Sequence, residues 1–143
     1  MLTVTFPQNV PDSALRFAVI LATHQGKMVF CQHRERDTLE MPGGRREPGE
    51  AILDTARREL QEETGAVDFD LQSVCCYAVT GKTRYQEDGS TSWGLLCRAE
   101  IHSFGEIHSE MQRIVLLDSL PGRMTYPQIQ PVLHEECRRR GLI

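Results

Sequence analysis

The chain has 143 residues, of which 40% are hydrophobic and 25% are charged, and its net charge is −4. This is the ordinary composition of a globular domain with its own hydrophobic core. No segment is apolar for long enough to cross a bilayer, and scattered Lys and Arg residues in an acidic chain count against nucleic acid as the main partner.

The pattern of apolar residues predicts several strands in chain order. The strand candidates are Leu2–Phe6, Leu15–Thr23, Lys27–Cys31, Thr38–Met41, Val74–Thr80, Ser92–Glu100 and Gln112–Leu117. The turn His24–Gly26 makes a hairpin of the second and third candidates, and Pro42–Gly44 stops the fourth.

Two helices are expected among these strands. The first begins near Glu50 and ends before Gly65, which suits a C-terminal cap. The second covers Pro127–Arg139, where apolar residues have helical spacing. The basic run Arg138–Arg140 is typical of a helix end, where the helix dipole favours cations. These elements indicate one α/β domain, residues 1–143, with a mixed sheet covered by helices.

The cysteines indicate a reducing compartment. The chain has an odd number of them, without a C-x-x-C motif: Cys31, Cys75, Cys76, Cys97 and Cys137. All but Cys137 lie in apolar, strand-like stretches, where a free thiol packs as a small hydrophobe. The N-terminus lacks the basic lead and long apolar stretch of a signal peptide. We therefore expect a cytoplasmic protein with reduced cysteines.

The first helix places three carboxylates together. At 100° per residue, Glu59, Glu62 and Glu63 share an arc of roughly 100°. This arc borders the core-facing stripe, to which the spacing assigns Ile52, Leu53, Ala56 and Leu60. The opposite arc, expected to face solvent, holds Asp54, Arg57, Gln61 and Thr64. Like charges at this spacing repel one another and destabilise the helix. A divalent cation bound by the carboxylate oxygens would remove this repulsion. Arg58 lies four residues before Glu62 and is placed to hold that carboxylate.

The segment Gly44–Ala66 resembles a known family motif. It matches the Nudix box, G-x5-E-x7-R-E-U-x-E-E-x-G-U, where U is a bulky aliphatic residue. In this chain the glycine is Gly44, the first glutamate is Glu50 after five residues, and Arg58–Ala66 follow after seven more. Every fixed position matches, and the one departure is the small Ala66. The box covers 23 residues, and the flanking strands and helices fit the family's fold over nearly the whole chain.

The resemblance implies a Nudix-like α/β/α sandwich with a central catalytic helix. It implies hydrolysis of a nucleoside diphosphate linked to another group, with Mg2+ or Mn2+ as cofactor. The implied metal ligands are Glu59, Glu62, Glu63 and the Gly44 carbonyl, with Glu50 and Arg58 supporting the helix and loop. Bound metal would lower the pKa of a water that attacks phosphorus, and a carboxylate would take its proton.

The identity of this general base stays open from the sequence. The family uses either a box glutamate, here Glu59 or Glu62, or a glutamate from a later loop, here Glu106 or Glu110. We prefer Glu110, because it directly precedes the last strand candidate.

Residues outside the box point to the substrate. Leu39–Gly44 is similar to the L-E-F-P-G-G of MutT-type nucleoside triphosphate pyrophosphatases, and YtkD-like members carry a related segment. Glu40 is therefore a candidate substrate-binding residue. Arg34 and Arg36 lie upstream and suit phosphate contacts. Tyr126 opens the last helix, where relatives line the base pocket, although core packing is its alternative role.

The resemblance favours a nucleoside triphosphate pyrophosphatase, with oxidised purine nucleotides as one substrate class. Alternatives are dinucleoside polyphosphates, ADP-ribose and RNA 5′ ends. Tyr85 lies near the position of a tyrosine typical of dinucleoside polyphosphate hydrolases, whereas the proline of ADP-ribose pyrophosphatases is absent at Thr80–Lys82. A non-catalytic Nudix binding module is a further alternative, but such modules usually have a damaged box.

Overall fold

The computed structural model describes residues 2–83, 86–107 and 109–143. In these residues the chain forms seven strands and two helices. In chain order they are β1 (Thr3–Thr5), β2 (Leu15–His24), β3 (Lys27–His33), β4 (Gly43–Arg45), α1 (Ile52–Thr64), β5 (Ala66–Thr80), β6 (Thr91–Phe104), β7 (Met111–Leu117) and α2 (Gln130–Arg139). A short 3-10 turn, Asp12–Ala14, precedes β2.

The described strands form one mixed sheet in the order β1-β5-β6-β2-β3-β7, with β4 beside β2. Strands β2 and β6 run parallel along most of their length, and the other pairs are antiparallel. Pairing of β2 with β3 is confined to the turn end, where Thr23 faces Met28 and His24 faces Lys27. Nearer its start β2 pairs with β4 instead. Strands β2 and β3 therefore separate away from their turn, and β4 lies beside β2 in that part of the sheet.

The two helices cover opposite faces of this sheet. Helix α1 buries Ile52, Ala56 and Leu60 in a cluster with side chains of β2, β3 and β6 such as Ile20, Val29 and Ile101. Helix α2 buries Leu133 and Cys137 in a second cluster that includes Leu21, Phe30, Tyr77 and Leu96. Each fully buried Leu, Ile, Val or Phe side chain contributes about 1.5–3 kcal/mol to stability. The predicted α/β/α sandwich with a mixed sheet is confirmed.

Several strand bounds differ from those predicted. Strands β5 and β6 extend well beyond Val74–Thr80 and Ser92–Glu100, because their polar outer ends pair with each other, and pairing of backbone groups needs no apolar pattern. In Thr38–Met41 only isolated bridges form, at Leu39 and Glu40. Pro42–Gly44 does not simply end a strand, since Gly43 and Gly44 begin β4.

Helix α1 corrects two predicted orientations. Leu53, assigned to the core stripe, is 41% exposed, whereas Thr64, assigned to solvent, is buried. The Thr64 hydroxyl donates to the Leu60 carbonyl at 2.6 Å and accepts the Ala66 N–H at 3.1 Å, so its burial leaves no polar group unsatisfied. Gly65 caps the helix as predicted, with φ of 76°.

Both helices begin later than predicted, α1 at Ile52 and α2 at Gln130. No described helix is both long and apolar enough to span a membrane. The five cysteines are free thiols, three of them buried: Cys31, Cys97 and Cys137. The cytoplasmic location stays a prediction.

Candidate active site

The segment Glu40–Arg45 lies in the opening between β2 and β3. The Cys31 N–H donates to the Glu40 carbonyl at 2.8 Å, and the Glu40 N–H donates to the Cys31 carbonyl at 2.9 Å. On the other side, the Ile20 N–H donates to the Pro42 carbonyl at 2.8 Å. Backbone hydrogen bonds to both strands therefore fix the glycines that precede the acidic helix.

The two glycines contact the carboxylates of α1. The Gly43 N–H donates to Glu63 Oε1 at 2.8 Å. A Cβ at Gly44 would lie 2.3 Å from Glu59 Cδ, far inside ordinary contact distance. The absence of a side chain at Gly44 therefore lets strand β4 and the Glu59 carboxyl group pack against each other.

Burial strongly perturbs both carboxyl groups. Burial raises the pKa of Glu63 to about 9, against the lowering effect of the Gly43 hydrogen bond. The pKa of Glu59 rises to about 7, again mainly through burial, although Arg58 opposes the shift. The charges of Glu40 and Glu110 contribute to the rise at Glu63, and Glu110 also contributes at Glu59. Four acidic side chains thus converge on one region.

Arg58 connects this cluster to the loop before the helix. Its Nε donates to Glu50 Oε2 at 2.6 Å and its Nη1 donates to Glu59 Oε1 at 2.7 Å. It also reaches the Arg45 carbonyl at 3.0 Å and Glu62 Oε2 at 3.3 Å. Hydrogen bonding to Arg58 lowers the pKa of Glu50 to about 2. The expected contact of Arg58 with Glu62 is present, but Glu50 and Glu59 are its closer partners.

A cleft of about 850 Å³ opens in front of these carboxylates. The sequence-predicted residues that line it are Arg36, Glu40, Gly44, Glu59, Glu63, Glu110 and Tyr126. Glu62 does not line the cleft, and its side chain is 49% exposed. Arg58 and the exposed Arg34 are not among the residues that line the cleft. The Arg34 N–H instead donates to the Glu110 carbonyl at 3.0 Å, which ties the Glu110 loop to the end of β3.

Arg36 and Glu40 form an ion pair inside the cleft. Arg36 Nη1 lies 3.2 Å from Glu40 Oε1, and the Glu40 side chain is only 8% exposed. A buried carboxylate needs such a partner, because desolvating it alone is costly. The pair leaves Arg36 partly neutralised, so its predicted phosphate contact competes with Glu40.

The cleft also contains residues that sequence reasoning missed. Gln130, at the start of α2, is buried, and its Oε1 accepts the Met41 N–H at 2.7 Å. Lys82 and Gln86 come from the loop Lys82–Ser90, and Tyr77 comes from β5. Only the long-range packing of α2 and of this loop brings them to the carboxylates, so no local pattern marks them. Tyr85 lies outside the described residues.

The donor set fits a hard divalent cation. Mg2+ accepts oxygen ligands, and the site offers carboxylate oxygens beside the backbone carbonyl groups of β4. A bound cation would favour the ionised forms of these carboxyl groups, which burial disfavours. Within residues 2–83, 86–107 and 109–143, no three His, Cys, Asp or Glu side chains stand close enough together, as they are placed, to hold a metal ion. Arg58 engages both Glu59 and Glu62, so those two side chains would have to turn from it to take up a common ligand.

Comparison with known proteins assigns the family. The family model described as the NUDIX domain matches residues 12–125. The chain belongs to the NUDIX domain family. It is 37% identical over 65 residues to the provisionally assigned 8-oxo-dGTP diphosphatase YtkD of Bacillus subtilis, a match that covers 46% of this chain and 40% of that protein.

A second relative is the ADP-ribose pyrophosphatase of Bacillus subtilis, 38% identical over 64 residues, or 42% of this chain and 35% of that protein. The chain thus matches less than half the length of both relatives. Among solved structures, a mutant of the Bacillus subtilis pyrophosphohydrolase BsRppH superposes with a TM-score of 0.77 at 22% identity, covering 99% of this chain and 92% of that one. A NUDIX hydrolase from Nitrosomonas europaea gives 0.67 at 17% identity, covering 87% and 90%. These similarities show the fold.

Proposed function

We propose that this protein is a divalent-cation-dependent hydrolase of diphosphate-linked nucleosides, with Mg2+ as the main cofactor and Mn2+ as a substitute. One observation carries the proposal: Glu59 and Glu63 line the wall of a nucleotide-sized cleft, where Arg58 holds the partly buried Glu59 and the Gly43 N–H holds the buried Glu63. Two neighbouring carboxylates withdrawn from solvent to this degree are costly unless a cation offsets their charge. A cleft of this volume is in the ordinary range for small-molecule sites.

The residues of this chain take distinct roles in that reaction. Glu59, Glu62, Glu63 and the Gly44 carbonyl would hold the cation, which when bound neutralises the diphosphate and acidifies a water. Glu110 is our preferred general base, because it is exposed in the cleft and close enough to raise the pKa values of Glu59 and Glu63. Glu59, Glu62 and Glu106 stay the alternatives. Lys82 is a cleft-lining cation suited to the substrate phosphates.

We further propose a nucleoside triphosphate as the substrate, with oxidised purine nucleotides as one class. Two observations support this. The cleft combines Tyr126, whose ring would stack on a base, with the buried Glu40, whose carboxylate would accept hydrogen bonds from base N–H groups. The chain also matches, over 65 residues, the protein YtkD, which is provisionally assigned as an 8-oxo-dGTP diphosphatase. The net charge of −4 counts against an RNA substrate.

A nucleotide screen with Mg2+ tests the reaction, with products resolved by chromatography. Release of pyrophosphate and a nucleoside monophosphate from a triphosphate is the expected result. Cleavage of ADP-ribose or dinucleoside polyphosphates alone would refute the triphosphate assignment. If no phosphoanhydride is hydrolysed, the proposal that the protein is an enzyme is refuted, and a non-catalytic binding module is favoured.

The variant Glu63→Gln tests the metal site. Its amide oxygen can still accept the Gly43 N–H, so the fold is retained while the charge is lost. We expect the activity to fall by at least 100-fold with little change in melting temperature. Asp54→Asn is the matched control, since Asp54 is exposed on the other side of the same helix. Full activity in Glu63→Gln would refute the metal assignment.

A further inference from the structure

A second concavity lies away from the cleft. This basic groove has a volume of about 630 Å³, and its lining includes Gln72, Ser73, Val74, Arg98, Arg139 and Arg140. It lies at the C-terminal end of α2, whereas the cleft lies at the N-terminal end, where Gln130 contacts Met41. Nine residues of helix separate Gln130 from Arg139, or about 14 Å at 1.5 Å per residue. The two sites are therefore distinct.

A single carboxylate organises two of the three arginines. Glu136 is buried, and it accepts Arg139 Nε at 2.9 Å and Arg140 Nε at 2.8 Å. Arg139 makes a second, short contact through Nη2. These hydrogen bonds lower the pKa of Glu136, so it stays ionised at neutral pH. The remaining N–H groups of both guanidinium groups are left available for a ligand.

The third arginine has no such partner. Arg98 comes from β6, opposite Gln72 of β5, and within the described part of the chain no carboxylate lies within 4 Å of its guanidinium. The nearest acids along these strands, Asp70 and Glu100, are engaged: Asp70 with His102 at 2.9 Å and Glu100 with the Thr23 hydroxyl at 2.5 Å. The groove therefore holds three guanidinium groups against one carboxylate.

The helix dipole explains part of this arrangement. It accounts for basic residues at the end of α2, since cations are favoured there. It does not account for Arg98, which reaches the groove from a strand, nor for a buried carboxylate that orients two guanidinium groups. In a chain with a net charge of −4, a concavity with an excess of about two positive charges is a selective attractor for anions.

We propose that the basic groove binds a small polyphosphate anion, such as pyrophosphate or triphosphate. Guanidinium groups match phosphate oxygens with paired N–H donors, and a ligand with two or three negative charges would balance the excess. The polar side chains of Gln72 and Ser73 add further donors. A polynucleotide is disfavoured, because the chain carries a net charge of −4.

The test is an NMR titration of the full chain in EDTA, at constant ionic strength, with pyrophosphate and with triphosphate. EDTA removes the cation that would bridge a polyphosphate to the acidic residues of the cleft, so we expect binding at the groove alone. We expect amide shifts at residues 72–74, 98 and 139–142, and none at Gly43 or Gly44. Shifts confined to the cleft, or absent, would overturn the proposal, as would equal shifts with sulfate.

Variants assign the binding to the groove. Arg98→Gln removes an exposed side chain, and we expect it to weaken triphosphate binding by roughly tenfold, as loss of a charge-assisted hydrogen bond does. Arg140→Gln should act in the same direction. Arg57→Gln is the matched control, because Arg57 is equally exposed but lies on α1, and it should bind as the wild type does. Unchanged affinity in Arg98→Gln, or tighter binding of a short single-stranded RNA than of triphosphate, would refute the assignment.

Discussion

The contact between Gly44 and Glu59 gives the sharpest prediction. In Gly44→Ala the new Cβ would lie 2.3 Å from Glu59 Cδ and 2.5 Å from both carboxylate oxygens, whereas ordinary contact begins near 3.4 Å. The carboxyl group must therefore retreat by about 1 Å. A displacement of this size in a reacting geometry costs on the order of 100-fold in rate. The backbone at Gly44 tolerates alanine, since its φ is not positive.

The fold should survive this change. The obstructing atoms are the far end of a flexible side chain, so we expect a loss of only about 1 kcal/mol in the free energy of unfolding. The assay is Mg2+-dependent hydrolysis at saturating nucleotide, with melting temperature measured alongside. Gly122→Ala is the control, because nothing lies within 4 Å of its added Cβ. A Gly44→Ala protein within threefold of the wild-type rate would refute the role of Glu59.

Three further predictions concern charge and stability. Lysine in Arg58→Lys cannot reproduce the hydrogen bonds of Arg58 to Glu50 and to the acidic side chains of α1. We therefore expect the free energy of unfolding, measured by urea denaturation, to fall by about 2 kcal/mol and the activity to fall at least tenfold. The control Arg57→Lys should change neither quantity. The Glu50 pKa of about 2 lies below the ordinary 4.5, so its contribution is present above pH 4.5 and lost as the pH falls towards 2. The stability gap between wild type and Glu50→Gln should therefore close over that range, and a gap independent of pH would contradict the ion pair. Burial lowers the pKa of His134, whose Nε2 has no partner among the described residues, so stability should fall as the pH drops below about 6.5. His134→Gln should flatten that pH profile in thermal denaturation, and an unchanged slope would assign the effect to another group.

The sequence was informative wherever structure depends on neighbours along the chain. Helical periodicity placed Glu59 and Glu63 at the edge of the buried face, and the Gly65 cap ended the helix at the predicted residue. The spacing of Gly44 and Glu50 from the helix identified the family motif, which the family match supports. The acidic chemistry of the site was therefore readable from local pattern alone.

Local pattern failed where exposure depends on partners. Thr64 lies on the predicted polar arc but is buried, and its burial is tolerated because its hydroxyl bonds to backbone groups. Leu53 has the opposite outcome: it lies on the predicted core stripe but is 41% exposed. The polar ends of β5 and β6 were missed because backbone pairing between distant segments leaves no periodic signal.

Tertiary structure alone decided which charges meet. Arg34 and Arg36 are two residues apart, yet only Arg36 lines the cleft, where it pairs with Glu40. Gln130 reaches Met41 across 89 positions of sequence. Arg98 joins Arg139 and Arg140 in the same way, through sheet and helix packing. The sequence by itself determined the helix that carries the carboxylates and the family to which it belongs. The partners that raise, lower or neutralise each charge were set by long-range packing, because such contacts depend on distances in space that no local spacing encodes.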